Sequence, residues 1–547
     1  MKDIPHAPHT FISIFFTFLS FSVIIRFIKV GYTIGTVRGK RHSQRKGLRR
    51  PKSADRFRLE EYRANKRGLH NRSRQDGNSR PIHAPPKYNE SFHIYLSIIQ
   101  AKPLCNAGRF LLYSHAPPFL LLQVEISAIR CYNKDIIFGK DSGKGKDMGY
   151  TLKTAQYVND FQCIGGKCTM DCCRNWDIIW TDEEIEKLKN SEHSESLDKL
   201  IQRSFLKCDR ITNSIKLSDD GDCPFHDKED RLCKIQKELG AEYLSAVCRN
   251  YPISGTINNN VITKIRFLSC PAVFDVIANN EKSCDVYAYE KKIELETQFV
   301  YKCDTVNDIK NNPVLKYRNQ LFDFFYSILS DKKRDIHTSM IIGTLAAQTL
   351  SKLENSSPDR IPEGITALTK QINSPALVKS LSDIQPNYNV KLGVVQCMLD
   401  STAVGDKLSE ILSSIRKKNI EGKFSVEIQT YITNLEKFYK ICSTKPFMIR
   451  NIVRCLYMCE LMPFSDNNYN IFDNYAYFCA SVALIDFFGA AAAAGCDNPN
   501  EIFERFKTAV CLASHPLCHN PDRVKMIIDY LKEINCYSAG HLALIVK

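Results

Sequence analysis

The sequence predicts a mainly α protein in which a cysteine-rich metal- or cluster-binding unit with a small β-hairpin precedes an α-helical domain. Three observations carry this. Of the 22 cysteines, eleven fall between Cys163 and Cys303. β-Branched residues gather around a turn at 252–267, and from residue 313 onward apolar residues recur at helical spacing. At 547 residues the chain exceeds what one hydrophobic core usually serves. The division expected is a basic, disordered leader over 1–147, a cysteine-rich domain over 148–305 and an α-helical domain over 306–547. An apolar share of 44% and a charged share of 25% are ordinary for a folded protein and exclude collagen-like, mucin-like and wholly disordered chains.

The formal net charge of +15 suggests a nucleic-acid partner until it is divided along the chain. Residues 1–147 hold 27 Lys and Arg against 10 Asp and Glu, whereas residues 148–547 hold 48 against 50. The body is nearly neutral, and no nucleic-acid partner is expected for it. Of the 29 arginines, 15 lie in the leader, which reads either as a fused tail or as upstream DNA translated by an over-long gene model with Met148 as a natural start. Phe11–Ile25 is an unbroken run of 15 apolar or small hydroxyl residues. It falls short of the ~18–20 residues of a spanning helix, and it lacks the basic start and cleavage site of a secretory signal. No stable membrane span is expected. If the run did insert, Arg26 and the basic segment 39–50 behind it would keep the body in the cytoplasm. The stretch from Arg38 to Arg80 has only Phe57 and Tyr62 as aromatics and reads as a solvated tail.

The densest cysteine segment is CIGGKCTMDCC at 163–173, followed by Cys223-Pro-Phe, Cys233, Cys248 and Cys270-Pro. A C-x4-C-x3-C-C loop lets several thiolates converge on one centre, more distant cysteines can complete the shell, and Gly165 and Gly166 permit the sharp turn. Behind the loop, Thr181 and Glu184 have capping-box spacing and predict a helix from about 182. Residues 232–249 predict a short helix bracketed by Cys233 and Cys248, with Gly240 as a weak point. Ile253, Thr256, Ile257, Val261, Ile262, Thr263 and Ile265 around an Asn turn predict one hairpin. In the last domain Leu315, Leu321, Phe322, Phe325 and Leu329 share a helical face, and similar stripes occupy 338–352, 405–416, 425–441, 447–461, 471–488 and 500–513. These read as bundle core.

Three chemistries compete for the cysteines. A disulfide framework is disfavoured in a cytosolic chain, and adjacent Cys172 and Cys173 are in poor geometry to pair with each other. A closed zinc site would typically use two C-x2-C pairs, which this cluster lacks. An iron–sulfur cluster tolerates the observed spacing and the Cys-Pro ligands. Radical S-adenosylmethionine chemistry has no motif here, because a C-x3-C-x2-C loop would need cysteine where Asn175 and Met462 stand.

The strings YVNDFQCIGGKCTMDCCRNW at 157–176, CPF at 223–225, LCKIQKELGAEYLSAVCRNYP at 232–252 and LSCP at 268–271 together resemble the flagellin lysine N-methylase family. The resemblance is strong from about 150 to 290. It continues more weakly through RNIVRCLYMCELMPF at 450–464 and His519-Asn520. It implies S-adenosylmethionine-dependent methylation of lysine side chains on flagellin, with a cysteine-bound iron–sulfur cluster, of the four-iron type, or zinc as the alternative. Carried over residue by residue, the metal ligands fall on Cys163, Cys168, Cys172, Cys173, Cys223, Cys233, Cys248 and Cys270. Eight exceed the four that one cluster takes, so either some are bystanders or the set serves two centres. Cys208, Cys284 and Cys303 lie outside the matched strings and read as small hydrophobes. Ile253 stands where relatives often have Arg after the Pro. Tyr243, Tyr251, Trp176 and Asp177 lie near the cluster in sequence and read as structural, so no catalytic or donor-binding residue is assigned. The body has no G-x-G-x-x-G loop, and methyl transfer rests wholly on the family resemblance. The rival reading is a non-catalytic iron–sulfur or zinc protein, redox or structural; a further one is a nucleic-acid-associated zinc protein using the leader.

Overall fold

The computed structural model describes residues 150–547 apart from 169, 171, 175–177, 209–211, 259, 292–300, 402–404, 419–423 and 520–521. The basic leader with its apolar run, Met148, Trp176, Asp177 and Asn520 lie outside the described residues. The chain is mainly helical, as the sequence predicts.

It opens with β1 (Tyr150–Ala155) and α1 (Gln156–Asp160). A small antiparallel sheet follows, built from β2 (Ile179–Thr181), β3 (Phe205–Lys207) and β4 (Thr212–Ile215) in the order β2-β4-β3. Between its strands lie α2 (Asp182–Lys189) and α3 (Glu195–Arg203). The capping box starts α2 where expected: the Glu184 N–H donates to the Thr181 hydroxyl at 3.2 Å, and the Thr181 N–H donates to the Glu184 carboxylate at 2.9 Å. The segment 232–249 forms two helices instead of one, α4 (Lys234–Leu239) and α5 (Ala246–Asn250). Gly240, at φ +92°, ends the first, and Ser245 starts the second by accepting the Cys248 N–H at 3.2 Å.

The expected hairpin forms as β5 (Ile253–Asn258) and β6 (Val261–Arg266), but it is the middle of a larger sheet. With β7 (Val286–Lys291) and β8 (Tyr301–Cys303) the order is β7-β1-β6-β5-β8, and the β1–β6 and β5–β8 pairs are parallel. Strand β1 escaped the sequence because Leu152, Lys153, Thr154 and Ala155 are all buried, so no alternation marks it. Lys153 reaches Asp323 at 2.7 Å. Between β6 and β7 lies α6 (Pro271–Asn279), with Cys270 at its N-cap and Pro271 in the first turn, where proline is well tolerated.

The remaining helices are α7 (Val306–Asn311), α8 (Arg318–Ser330), α9 (Ile336–Ser356), α10 (Ile361–Gln371), α11 (Pro375–Ser382), α12 (Tyr388–Asp400), α13 (Asp406–Ser413), α14 (Ile428–Cys442), α15 (Met448–Cys459), α16 (Ile471–Ala493), α17 (Pro499–His519), α18 (Arg523–Glu533) and α19 (Ala539–Val546). A short ribbon of β9 (Arg416–Lys418) and β10 (Phe424–Val426) precedes α14. Helix α16 is long and apolar enough to cross a membrane, yet all 23 of its residues are buried, packed against α9, α12, α14, α17 and α18, so it serves as the core helix of this array. Two cores result. A small one is confined to residues between Ile178 and Leu244, and a large one joins β1, β6 and α6 to the helical array.

Inside the large core, Asp486 of α16 meets Lys391 Nζ at 2.6 Å and His337 Nε2 at 3.4 Å, and it accepts from the Tyr439 hydroxyl at 2.5 Å. Burial opposes its charge, but Lys391 and His337 outweigh that and hold the carboxyl well below the usual range. Removing one partner of a buried pair leaves an uncompensated charge, at a cost of about 3–5 kcal/mol. Lys391→Met is therefore expected to lower stability by that amount in chemical or thermal unfolding, and adding Asp486→Leu is expected to restore much of the loss. A double variant no more stable than the single one would contradict this account of the pair.

Candidate metal centre

The loop Phe161–Cys168 makes a 3-10 turn at Gly165–Lys167. Gly165 sits at φ +55°, and a Cβ on Gly166 would strike the Asp230 carbonyl oxygen, so both glycines are required by the path the chain takes. The Cys168 N–H donates to Gly165 O at 2.9 Å, and the Gly165 N–H points to Cys163 Sγ at 3.4 Å. The same turn thus folds Cys163 and Cys168 toward each other. Their neighbour is Cys270, the N-cap residue of α6. Burial pushes the Cys270 thiol up to about 11, and the thiols of Cys168 and Cys163 add to the rise.

The other five predicted ligands form a separate group. The Cys223 N–H donates to Cys173 O at 2.9 Å, which lays the 222–226 turn beside the Cys172-Cys173 pair. The His226 N–H donates to Cys223 O at 3.0 Å and closes that turn. Cys233 is the N-cap residue of α4, and the Cys248 N–H in α5 donates to Ser245 Oγ at 3.2 Å. Cys172, Cys173, Cys223, Cys233 and Cys248 line one cavity of about 70 Å³. Ile178, Trp180, Ile215, Phe225, Ile235 and Leu244 form its apolar walls, and Tyr251 also faces it.

Electrostatics follow from this crowding. A hydrogen bond with Cys172, then burial, then the nearby thiols all drive the Cys173 thiol far up. Burial pushes Cys223 up to about 12 and raises Cys233 and Cys248 as well. No disulfide is formed among the described cysteines. The donor set suits a thiophilic ion or cluster: sulfurs sit at turns and helix starts, where backbone N–H groups favour thiolate, inside apolar walls that make an unpaired thiolate costly. Among the described residues no group of three His, Cys, Asp or Glu side chains is placed to hold a metal ion as it stands, so the thiols must shift to close on one.

The remaining candidates are placed as follows. Cys284 is buried as a small hydrophobe and donates to Asn451 O at 3.2 Å. Cys208 is exposed, contrary to expectation, because β3 lies at the edge of the small sheet. The Cys303 side chain lies outside the described residues. Tyr251 bonds Ser269 Oγ at 2.9 Å, and burial raises its pKa, so it stays a neutral hydroxyl. Tyr243 carries the Lys187 ammonium 4.7 Å from its ring centre, and Ile253 opens β5. The residue that sequence reading missed is Cys511 of α17, which lies beside Cys270 and Cys168; nothing in its local sequence links it to them.

Comparison with known proteins gives two family matches. Residues 322–545 match the FliB lysine N-methylase C-terminal domain, and residues 162–271 match a cysteine-rich domain described as zinc- or iron-chelating. The chain is 26% identical over 259 residues to the lysine-N-methylases of Salmonella choleraesuis strain SC-B67 and Salmonella typhimurium strain LT2, covering 46% of this chain and 61% of each relative. It thus spans less than two thirds of the length of these relatives. It is 32% identical over 134 residues to the flagellar biosynthetic protein FliU of Salmonella muenchen, covering 24% of this chain and 78% of the relative. No solved structure matches.

Exposure and thiol ionisation together predict the order of alkylation. In metal-depleted protein at neutral pH, iodoacetamide is expected to label exposed Cys163, Cys172 and Cys208 first, and to reach Cys223 and Cys248 only on denaturation. Peptide mapping by mass spectrometry reads this directly, and early labelling of Cys248 would contradict the arrangement described.

Proposed function

The chain belongs to the FliB lysine N-methylase family, and from that premise we propose that it methylates lysine side chains of flagellin. The methyl donor in this reading is S-adenosylmethionine, and the cysteine-rich unit holds a thiolate-bound iron–sulfur cluster. The observation that carries the proposal is the five-thiol cavity, which lies within the stretch matching a zinc- or iron-chelating domain and in the same chain as a FliB lysine N-methylase C-terminal domain. The flagellar name of one relative supports a flagellar substrate.

The reaction asks for alignment more than for reactive side chains. The lysine nitrogen attacks the sulfonium methyl carbon, the carbon–sulfur bond breaks, its electron pair stays on the departing thioether, and the amine loses a proton. Four of Cys172, Cys173, Cys223, Cys233 and Cys248 would hold the cluster, and the apolar walls would keep water from it. Bound there, a cluster supplies electron transfer or an exposed Lewis-acidic iron. Among the described residues no carboxylate or amine lines this cavity, and neutral Tyr251 can donate a hydrogen bond but not take a proton. Cysteines without disulfides among the described residues suit a reducing, cytoplasmic setting.

The test is anaerobic incubation of the full chain with methyl-labelled S-adenosylmethionine and flagellin. Labelled methyl-lysine on flagellin is expected, together with iron and sulfide in the purified protein. Cys248→Ser is expected to lose metal and to reduce transfer by about 10- to 100-fold. Metal-replete protein that transfers no methyl group would overturn the enzymatic reading. Zinc without sulfide would overturn the cluster.

A further inference from the structure

Cys511 lies outside the chelating stretch 162–271, on α17 of the helical array, and is 1% exposed. The packing of α6 on α17 explains how it reaches that stretch. Phe274 meets the rings of Phe503 and Phe506, each at 5.8 Å, and Asp275 pairs with Lys507 at 3.1 Å. Lys445 bonds Asn279 at the end of α6 and lies 5.7 Å over the Phe503 ring near the start of α17, so the two helices run antiparallel, and stepping back about one turn along α6 from Asp275 to Cys270 corresponds to stepping forward one turn along α17 from Lys507 to Cys511. The register therefore sets Cys511 opposite Cys270, and the thiols of Cys270 and Cys168 acting on Cys511, with those of Cys168 and Cys163 acting on Cys270, agree with that placement.

Three separate pieces of chain thus bring four thiols into one neighbourhood, where they must still close to ligate one ion: the 163–168 turn, the N-cap of α6 and the middle of α17. Four is the complement of a closed tetrahedral metal site or of a four-iron cluster. A packing role for Cys511 would be served by alanine or valine and does not explain why it faces a cysteine at the N-cap of α6. We propose that Cys163, Cys168, Cys270 and Cys511 form a second thiolate centre, separate from the cavity group, which takes zinc or an iron–sulfur cluster and fastens the cysteine-rich unit to the helical array. The proposal rests on the metal-binding part of the function proposed above and not on methyl transfer.

The test is metal, iron and sulfide stoichiometry of the full chain purified anaerobically, with folding followed by circular dichroism. Wild-type protein is expected to carry two centres. Cys511→Ser is expected to lose one centre's share of metal, Cys248→Ser the other share, and the double variant nearly all. If Cys511→Ser does not fold, Cys511→Ala and X-ray absorption on Cys248→Ser replace it, the latter expected to show the remaining metal bound by sulfur alone and lost on Cys270→Ser. A wild-type chain with a single centre, emptied by Cys248→Ser and untouched by Cys511→Ser, overturns this inference and leaves the proposed function standing. A chain that binds no metal overturns both.

Discussion

The arrangement depends on the burial of one nine-residue helix, α6. Pro271, Ala272, Val273, Phe274, Ile277 and Ala278 are all buried, and the helix packs against both α15 and α17. Each large apolar side chain removed from water is worth about 1.5–3 kcal/mol, so docking of α6 supplies a good part of what holds the sheet to the helical array. Its C-terminal carbonyls, which a helix leaves unpaired, are met by Asn451 of α15, whose side-chain N–H groups donate to Ile277 O at 3.2 Å and Asn280 O at 3.0 Å. Its N-terminal end carries Cys270. The packing that closes one end thereby fixes a thiol at the other.

Polar groups buried in the same structure show what a satisfied site looks like. Arg318 pairs with Asp304 at 2.6 and 2.8 Å, donates to Phe464 O at 3.3 Å and to Asn467 Oδ1 at 2.7 Å, so the charge that ties the end of the sheet to the 461–467 turn has partners throughout. Asp486 is equally well served. The thiols are not: Cys173, Cys223, Cys233 and Cys248 sit in apolar surroundings with one another as neighbours. Neutral thiols tolerate this, since sulfur is weakly polar. Five around one cavity far exceed what packing requires, and a cation is the partner whose charge would make all of them favourable as thiolates.

Helices with a polar face and an apolar stripe were legible in the sequence, and the capping box of α2 was legible to the residue. Helices α10, α11, α12, α18 and α19 were not. In α12 a fully buried Lys391 and a Gly393 pressed against Tyr530 break the apolar pattern, while α19 is apolar with little periodicity. Strand β1 hid for the same reason, being covered on both faces. Turn chemistry was half legible: Gly240 was visible as a weak point, but that it would split the helix depended on Ser245 capping a new one. Of the thiols, eight stand out in the sequence through the family resemblance, as expected ligands. Their partition was not legible, because chain spacing reports which cysteines share a loop and not which loops meet, and Cys511 comes into reach only through the α6–α17 register.

The partition itself turns on Tyr251. It follows α5, which carries Cys248, and bonds Ser269, which precedes Cys270, so it touches both groups through its chain neighbours. It faces the five-thiol cavity and also feels the charges of Cys270, Cys172 and Cys511. In the two-centre reading proposed above, this buried ring with its neutral hydroxyl lies within reach of sulfurs of both groups. The adjacent Cys172 and Cys173, spanned by a single peptide unit, stand at the same boundary. Two neighbouring centres divided by one ring would respond to each other's charge, which makes that boundary the place where metal content in the cysteine-rich unit meets the packing of the helical array.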